Sequence, residues 1–270
     1  QVTVSLSGDG GDELFAGYSR YFDAEKIWRT LHRLPAFLRR PSAGFLRAVP
    51  PAMWERSLGW AAQRALGKSW RGRFGDRLHK LAGLLGCMTP QELYAAMVAR
   101  PAGLGGAVLG ARRLETRLQA AARDSLGGSE GFITWMTYLD LISYLPEDIL
   151  TKVDRTSMAV SLESRVPLLD HRVVEFACAL PEPFKVRAGR GKWALRQVLY
   201  RYVPRELIDR PKMGFGVPIE QWLRGPLRDW GEALLGESRL RAEGLLDPKP
   251  IRRMWAEHQA GTRRWHYPLW

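Results

Sequence analysis

The strongest constraint on the fold lies in the first fifteen residues. Residues 2–7 alternate between apolar and polar side chains, the period-two pattern of a β-strand, and the chain then runs through the acidic, glycine-rich sequence GDGGDE at 8–13 into the apolar pair Leu14 and Phe15. This order predicts a strand, a tight glycine loop and a helix. Ligands of open α/β sheets bind beyond the carboxyl ends of strands, where glycines let backbone N–H groups approach an anion, so this loop is the first candidate for a functional site.

Helical patterns return later in the chain. Within 132–144, apolar side chains at positions 133, 136, 139 and 142, with Asp140 among them, predict one helix, and Pro146 suits the first turn of a second. Apolar or aromatic side chains at 195, 198, 199 and 202 predict an amphipathic helix that ends before Pro204. Residues 24–130 are rich in Arg, Leu, Ala and Trp with frequent Pro and Gly, which indicates several short helices and no recognisable motif.

The composition is that of a globular protein. Of its 270 residues, 46% are hydrophobic and 10% aromatic, which is enough for one large core or for a core with a smaller lobe. The sequence contains no uninterrupted apolar run of about 18 residues and no secretory signal pattern, which predicts a soluble cytoplasmic protein. Cys87 and Cys178 fit neither a disulfide framework nor a zinc motif, and both are expected to be core thiols. Because Gln1 already begins a strand pattern, we expect the true N-terminus to lie upstream.

The charge pattern argues against a nucleic-acid partner. The formal net charge is +13, from 41 basic and 28 acidic residues, which by itself is compatible with a polyanion. The arginines are scattered in pairs, as a coding bias toward arginine would produce, and no helix-turn-helix, zinc-finger or RNA-binding signature accompanies them. Neither a nucleic-acid nor a membrane partner is therefore expected.

Three blocks, in this order, carry a resemblance to a known family. They are SGDGGDELFAGY at 7–18, LPEDILTKVDRTSMAVSLESRVPLLDH at 145–171 and RPKMGFGVP at 210–218, followed by the ending EHQAGTRRWHYPLW at 257–270. Together they resemble the C-terminal synthetase region of glutamine-dependent asparagine synthetases. The resemblance implies an α/β, mostly helical fragment spanning 1–270. This fragment would be the last part of an adenine-nucleotide α-hydrolase-like (HUP, PP-loop ATPase) parallel-sheet domain, followed by many helices.

The chemistry that this resemblance implies has two steps. The side-chain carboxylate of aspartate attacks the α-phosphate of ATP to give β-aspartyl-AMP and pyrophosphate, and ammonia then displaces AMP. The ammonia comes from glutamine in a separate N-terminal glutaminase domain of the same parent chain. The implied cofactor is Mg²⁺, ATP is a co-substrate, and the oligomeric state stays open, with a homodimer as one form.

Site residues follow from the same resemblance, position by position. Asp9 matches the acidic residue that faces the acyl-adenylate and acts as the base for ammonia, although it is one methylene shorter than the more familiar glutamate. Asp12 matches the residue that helps to hold Mg²⁺ on the pyrophosphate, and carboxylate oxygen suits this hard cation. Lys212 matches the lysine that contacts the phosphates. The loop around the two acids would be shaped by Ser7, Gly8 and Gly10.

The central block supplies the substrate side of the cleft. The resemblance places five of its residues near aspartate or its adenylate: Asp154, Arg155, Ser157, Glu163 and Arg165. Lys192 is a weaker candidate. For each group an ordinary structural role stays open: an acidic helix N-terminus at 9–13, solvated ion pairs in the central block and an exposed loop lysine at 212.

Two features of the family's complete enzymes do not occur in this sequence. The pyrophosphate loop SGGxDS is absent, and the internal Cys87 and Cys178 cannot supply the free α-amine that an N-terminal cysteine nucleophile uses. We therefore expect the fragment alone to be inactive. Two alternatives to asparagine synthesis remain: a related amidotransferase that acts on another carboxylate in an antibiotic, peptide or polysaccharide pathway, or a non-catalytic scaffold domain.

Overall fold

Residues 2–66, 74–98, 107–111, 131–209 and 216–270 are described by a computed structural model. The chain divides into two compact units. Unit 1 comprises Gln1–Arg33, Met88–Ala95 and Glu115–Lys212, and unit 2 comprises Leu34–Cys87, Ala96–Leu114 and Met213–Trp270.

The fold is a mostly helical α/β arrangement with a small parallel sheet. Its two strands are β1 (Val4–Leu6) and β2 (Glu163–Arg165). The helices, in chain order, are α1 (Gly11–Leu14), α2 (Ser19–His32), α3 (Ala36–Ala48), α4 (Pro51–Leu66), α5 (Phe74–Leu84), α6 (Pro90–Val98), α7 (Phe132–Ile142), α8 (Thr151–Met158), α9 (His171–Ala179), α10 (Glu182–Lys185), α11 (Trp193–Leu199), α12 (Arg205–Ile208), α13 (Ile219–Arg224), α14 (Arg228–Leu235), α15 (Glu237–Glu243), α16 (Pro248–Gln259) and α17 (His266–Leu269). A π-helical segment, Leu145–Leu150, leads into α8, and a 3₁₀ turn, Pro167–Leu169, follows β2.

Unit 1 is built around the predicted strand, loop and helix. β1 pairs in parallel with β2, Val4 opposite Glu163, and α1 follows after the glycine loop. The core behind them contains Leu14, Phe15 and Ala177, against which pack partly buried side chains from α7, α9, α11 and the 3₁₀ turn. α9 begins at Asp170, whose carboxylate accepts from the backbone N–H of Arg172 at 3.0 Å and so caps the helix.

Unit 2 is helical over most of its described residues. One of its core clusters contains Ala107, Leu240, Ile251, Met254 and Trp265. α16 supplies two of these residues, and its start is fixed by Pro248 in the first turn and by the Asp247 carboxylate, which accepts from the N–H of Lys249 at 3.0 Å. None of the helices in the described ranges is both long enough and apolar enough to cross a membrane.

Several expectations from the pattern are confirmed and two are corrected. α7 lies where the 132–144 pattern predicts it, with Ile133, Met136 and Leu139 buried. α11 ends at Leu199, so Tyr202 lies beyond the helix, and its side chain is exposed rather than part of a buried stripe. Cys87 is buried as expected, but the prediction of a core thiol at Cys178 is wrong because that side chain is exposed on α9.

Candidate active site

The carboxyl ends of β1 and β2 meet at one edge of the sheet. The backbone N–H of Glu163 donates to the carbonyl of Thr3 at 2.9 Å, and the N–H of Ser7 donates to the carbonyl of Arg165 at 2.8 Å. The parallel register therefore brings Arg165, from the central sequence block, beside the start of the glycine loop. Such an edge is where open α/β sheets bind their ligands.

The glycine loop is held by local bonds and by the turn after β2. The Ser7 hydroxyl donates to the carboxylate of Asp9 and accepts from the Asp9 N–H at 3.3 Å. Gly10 has φ +80°, and a Cβ on it would lie 2.4 Å from Cδ2 of Leu169. A residue other than glycine is disfavoured there by the backbone conformation, and its Cβ would force the Leu169 side chain to shift. Gly8 has no such limit, since no described atom lies within 4 Å of the place where its Cβ would be.

Asp12 faces the ammonium group of Lys192. The Lys192 Nζ lies 3.0 Å from Asp12 Oδ2, and the two side chains keep 30% and 25% of their surface exposed. Gly17 leaves room for this pair, because a Cβ on it would lie 2.1 Å from Asp12 Oδ1 and 2.2 Å from Lys192 Cε. The carboxylate predicted to bind Mg²⁺ is thus already next to a positive charge.

The backbone around Lys192 fits tightly against the turn between α1 and α2. Lys192 lies in the left-handed region with φ 59°, and its N–H donates to the carbonyl of Phe15 at 2.7 Å. A Cβ on Gly191 would lie 1.8 Å from the carbonyl oxygen of Ala16. Sequence reasoning ranked Lys192 below the other candidates, and the available signal was its place beside Gly191 in a glycine-containing turn.

Glu13 points away from Asp12 into the interior. Its side chain is buried, and its Oε1 accepts from the Tyr18 hydroxyl at 2.6 Å. Burial raises the pKa of Glu13, and the bond from Tyr18 opposes that rise. Burial, together with the bond to Glu13, raises the pKa of Tyr18, so this hydroxyl keeps its proton at neutral pH.

Behind Tyr18 lies a buried polar cluster centred on Asp140 of α7. Asp140 Oδ2 accepts from Arg20 Nη2 at 2.5 Å, from the Tyr21 hydroxyl at 2.6 Å and from the Tyr94 hydroxyl at 2.7 Å. The guanidinium of Arg20 also lies 4.1 Å from the ring centroid of Tyr18. The sequence pattern singles out none of the aromatic members, and an aspartate among the apolar residues of α7 is the one signal that marks the cluster.

The predicted residues of α8 lie on an exposed surface. Arg155 Nε is 3.6 Å from Asp154 Oδ2, with 81% and 64% of the two side chains exposed, and the Ser157 hydroxyl donates to the carbonyl of Asp154 at 3.3 Å. On β2, Arg165 Nε lies 2.6 Å from Glu163 Oε1 in an exposed ion pair. Of these five residues, β2 brings Glu163 and Arg165 to the sheet edge, whereas the three on α8 interact among themselves.

The predicted phosphate-contacting Lys212 falls within 210–215, outside the described residues. The residue just before this segment, Asp209, bonds to side chains near Lys192 in the sequence. Its Oδ1 accepts from Arg190 at 2.9 Å, from Arg196 at 2.8 Å and from the Tyr200 hydroxyl at 2.8 Å. The bond from Tyr200, with the two nearby guanidinium groups, lowers the pKa of Asp209, so its carboxylate stays charged.

The donor set limits how a metal could be held. Within the described ranges, no three or more His, Cys, Asp or Glu side chains are placed together to bind a metal ion. Mg²⁺ commonly uses one or two carboxylates, several waters and the phosphates of its substrate rather than a full protein cage. A single carboxylate at Asp12 fits a nucleotide-bound Mg²⁺ and does not fit an independent metal centre.

Comparison with known proteins identifies related chains. A model of the asparagine synthase family matches residues 1–270. A putative glutamine-hydrolysing asparagine synthetase of Mycobacterium bovis is 34% identical over 275 residues, which cover 100% of this chain and 38% of that protein. The glutamine-hydrolysing asparagine synthetase 1 of Bacillus subtilis is 29% identical over 253 residues, covering 89% of this chain and 35% of that protein.

More distant relatives carry another name. Amidase chyE of Penicillium rubens is 24% identical over 261 residues, covering 91% of this chain and 36% of that protein. The chain thus spans little more than a third of the length of the curated relatives it matches. No solved structure matches it.

Proposed function

Because the chain belongs to the asparagine synthase family, we propose that it forms the later part of a glutamine-dependent ligase that converts L-aspartate to L-asparagine with ATP. The reaction proceeds through β-aspartyl-AMP and pyrophosphate, and ammonia from glutamine then displaces AMP. The observation that carries the proposal is the acidic loop at the carboxyl ends of β1 and β2, with Asp12 beside the ammonium of Lys192. The names of the mycobacterial and Bacillus relatives support the same activity.

Asp12 and the lysines are proposed to bind the nucleotide's charged end. Mg²⁺, when bound with ATP, offsets the negative charge that the phosphates develop. Asp12 supplies its carboxylate ligand. Lys192 has three N–H donors, so it can keep its contact with Asp12 and also donate to a phosphate oxygen. Lys212 adds a further positive charge at the phosphates.

Asp9 is proposed to take the proton that ammonia loses as it attacks the acyl carbon. The Ser7 hydroxyl donates to this carboxylate and orients it, and the carboxylate retains lone pairs that can accept a proton. The side chain is short, so the acyl group must come close to the loop backbone. The open space at Gly8 permits that approach.

The remaining proposed residues recognise the substrate, and the parent protein supplies the nitrogen. Arg165 at the sheet edge and Arg155 on α8 offer cations for the carboxylates of aspartate, and Asp154 and Glu163 offer acceptors for its ammonium group. Ser157 offers a hydroxyl. We propose that a glutaminase domain in the same parent chain releases the ammonia, and that the protein works in the cytoplasm as a homodimer.

A different acceptor carboxylate is the second candidate. The relative named an amidase favours an amidotransferase that uses the same ATP chemistry on another acid. A scaffold without catalysis is disfavoured because it has no chemical need for Asp9, Asp12 and Lys212 together.

The test measures AMP and pyrophosphate release by the full-length parent protein given Mg-ATP, aspartate and glutamine, with ammonium chloride replacing glutamine in a second arm. We expect asparagine as the product. Asp12→Ala and Lys212→Ala should each lower turnover by roughly 100-fold or more, because each removes a charge that stabilises the transition state. Glu237→Ala and Lys249→Ala, which change exposed residues of unit 2, are matched controls and should leave turnover unchanged.

Three outcomes separate the alternatives. Turnover at the wild-type level in Asp12→Ala or Lys212→Ala would refute the residue assignment. Release of AMP with another carboxylic acid but not with aspartate would select the amidotransferase. An absence of AMP release with every acid tested, in a folded parent protein that carries the glutaminase domain and the SGGxDS loop, would select the scaffold.

A further inference from the structure

Asp12 and Glu13 are neighbours in sequence but have opposite environments. Glu13 is 2% exposed, whereas the Asp12 side chain is 25% exposed and faces Lys192. Successive residues of an α-helix are rotated by about 100°, so fixing the direction of one side chain fixes the direction of the next. α1 has only four residues, Gly11–Leu14, and too few helical hydrogen bonds to hold its own orientation. Its orientation therefore depends on contacts with the rest of unit 1, among them the burial of Leu14 and Phe15.

Glu13 makes such a contact with Tyr18. The hydroxyl of Tyr18 donates to Glu13 Oε1 at 2.6 Å. The ring of Tyr18 is in turn fixed by Arg20, whose guanidinium lies 4.1 Å from its centroid and 4.6 Å from the centroid of Tyr144. A guanidinium between two aromatic rings is a favourable cation–π arrangement. Tyr144 directly precedes the segment that leads to α8.

Arg20 is in turn held by two buried side chains, Asp140 and Tyr94. Its Nη2 lies 2.5 Å from Asp140 Oδ2, and its Nε donates to the Tyr94 hydroxyl at 3.1 Å. Asp140 and Tyr94 are almost fully buried. A buried carboxylate whose donors are this close has one available position, so Arg20 has one as well.

We propose that Tyr18 and Arg20 are positioning residues that help to set the direction of the Asp12 carboxylate by anchoring Glu13, the next residue of α1. The inference rests on the proposed role of Asp12 at the nucleotide phosphates. In this account the Asp12 carboxylate is held directly by Lys192, and the helix that carries it is held by the contact between Glu13 and Tyr18.

The sharpest variant is Tyr18→Phe, which keeps the ring next to Arg20 and removes only the hydroxyl that Glu13 accepts from. Two backbone N–H groups report on α1 and its following turn. The N–H of Leu14 donates to the backbone carbonyl of Gly10 at 2.9 Å, and the N–H of Gly17 donates to the backbone carbonyl of Asp12 at 2.8 Å. We expect their hydrogen exchange to become about tenfold faster in Tyr18→Phe, as the loss of one buried hydrogen bond would give. Tyr138→Phe, an exposed tyrosine of α7, is the matched control and should change neither rate.

The second readout is the Mg²⁺ dependence of AMP release by the parent protein. In Tyr18→Phe the Mg²⁺ concentration for half-maximal rate should rise by about tenfold, with the maximal rate within about threefold of wild type. Arg20→Lys keeps the positive charge but loses the guanidinium that bonds to both Asp140 and Tyr94, so it should also raise the Mg²⁺ concentration for half-maximal rate. A lower maximal rate with an unchanged Mg²⁺ half-saturation would mean a merely structural role and would overturn the proposal.

The two proposals fail separately. Unchanged exchange at Leu14 and Gly17 in Tyr18→Phe overturns the anchor, whatever the enzyme does. A wild-type parent that releases no AMP refutes the proposed function instead, and the exchange measurement on the ligand-free protein then decides the anchor alone.

Discussion

Replacing Gly10 and Gly8 by alanine should give opposite results, although both glycines belong to the same loop. Gly10 has φ +80°, and a Cβ on it would lie 2.4 Å from Cδ2 of Leu169. Gly8 has no described atom within 4 Å of its Cβ position and no positive φ. Comparing the two variants distinguishes a glycine that the backbone conformation requires, Gly10, from one that leaves space for a ligand, Gly8.

The magnitude for Gly10→Ala follows from two contributions. The left-handed conformation costs an alanine about 1–2 kcal/mol. Overpacking against Leu169, which packs against the unit 1 core, costs about 1–3 kcal/mol more, because that side chain must shift to clear the new methyl group. The free energy of unfolding should therefore fall by roughly 2–5 kcal/mol. Gly8→Ala should leave it unchanged or raise it by about 0.4–1 kcal/mol, since alanine restricts the unfolded chain.

Equilibrium urea unfolding followed by tryptophan fluorescence measures both variants, and thermal melting provides a check. A loss of about 3 kcal/mol corresponds to a decrease in melting temperature of roughly 6–12 °C. The reasoning is refuted if Gly8→Ala is destabilised as much as Gly10→Ala, or if Gly10→Ala unfolds like the wild type.

Three further predictions concern unit 1 and unit 2 separately. Asp140→Ala should lower the free energy of unfolding, measured with urea, by about 3–5 kcal/mol, because Arg20 loses its buried partner. Tyr21→Phe removes only one donor to Asp140 and should lower it less, by about 1.5–3 kcal/mol. Gly191→Ala should lower the melting temperature and displace Lys192 from Asp12, because the new Cβ would lie 1.8 Å from a backbone oxygen that cannot move aside. Burial lowers the pKa of His258, so the unfolded chain binds more protons there than the folded chain does. The free energy of unfolding should therefore fall as the pH drops below about 6.5. The slope is up to about 1.4 kcal/mol per pH unit until the imidazole of the folded chain also takes up its proton.

Each of these has a control within the chain. Equal losses in Asp140→Ala and Tyr21→Phe would show that the ion pair adds nothing to the cluster. Gly83→Ala, inside α5, should be neutral or stabilising, so a melting temperature lowered as much as in Gly191→Ala would contradict the steric argument. His258→Gln should flatten the acid limb of the stability profile, and an acid limb as steep as that of the wild type would contradict the burial argument.

The local elements near the site were predictable because their signals are local. The period-two run followed by glycines specifies β1, the loop and α1, and the apolar positions of 132–144 specify α7. The contact between Lys192 and Asp12 was not predictable, since it joins residues 180 positions apart through the fit of Gly17 and Gly191. Nothing in the local sequence encodes that distance.

The error at Cys178 has an equally simple cause. Cysteine is among the most often buried residue types, but whether a given cysteine on a helix is buried depends on which face of the helix it occupies. On α9 the buried residue is Ala177, and Cys178, rotated from it by about 100°, faces outward. The helices described between 24 and 98 were foreseen only in kind. Several of their large apolar side chains are exposed, among them Phe37, Phe45 and Trp60, so apolar residues do not mark one buried face there.

The pairing of β1 with β2 determines when this site can form. Val4 lies opposite Glu163, so about 160 residues must be synthesised after the first strand before its partner exists. At roughly 5–20 residues per second the ribosome takes about 10–30 s to reach β2 after β1, and the edge of β1 that β2 covers stays open to other strands during that time. The closure penalty, in contrast, grows only with the logarithm of loop length, by about 0.6 kcal/mol for each doubling. The helices between the two strands can therefore be lengthened or shortened at little thermodynamic cost to the acidic loop, while each added residue delays the moment at which the loop is complete.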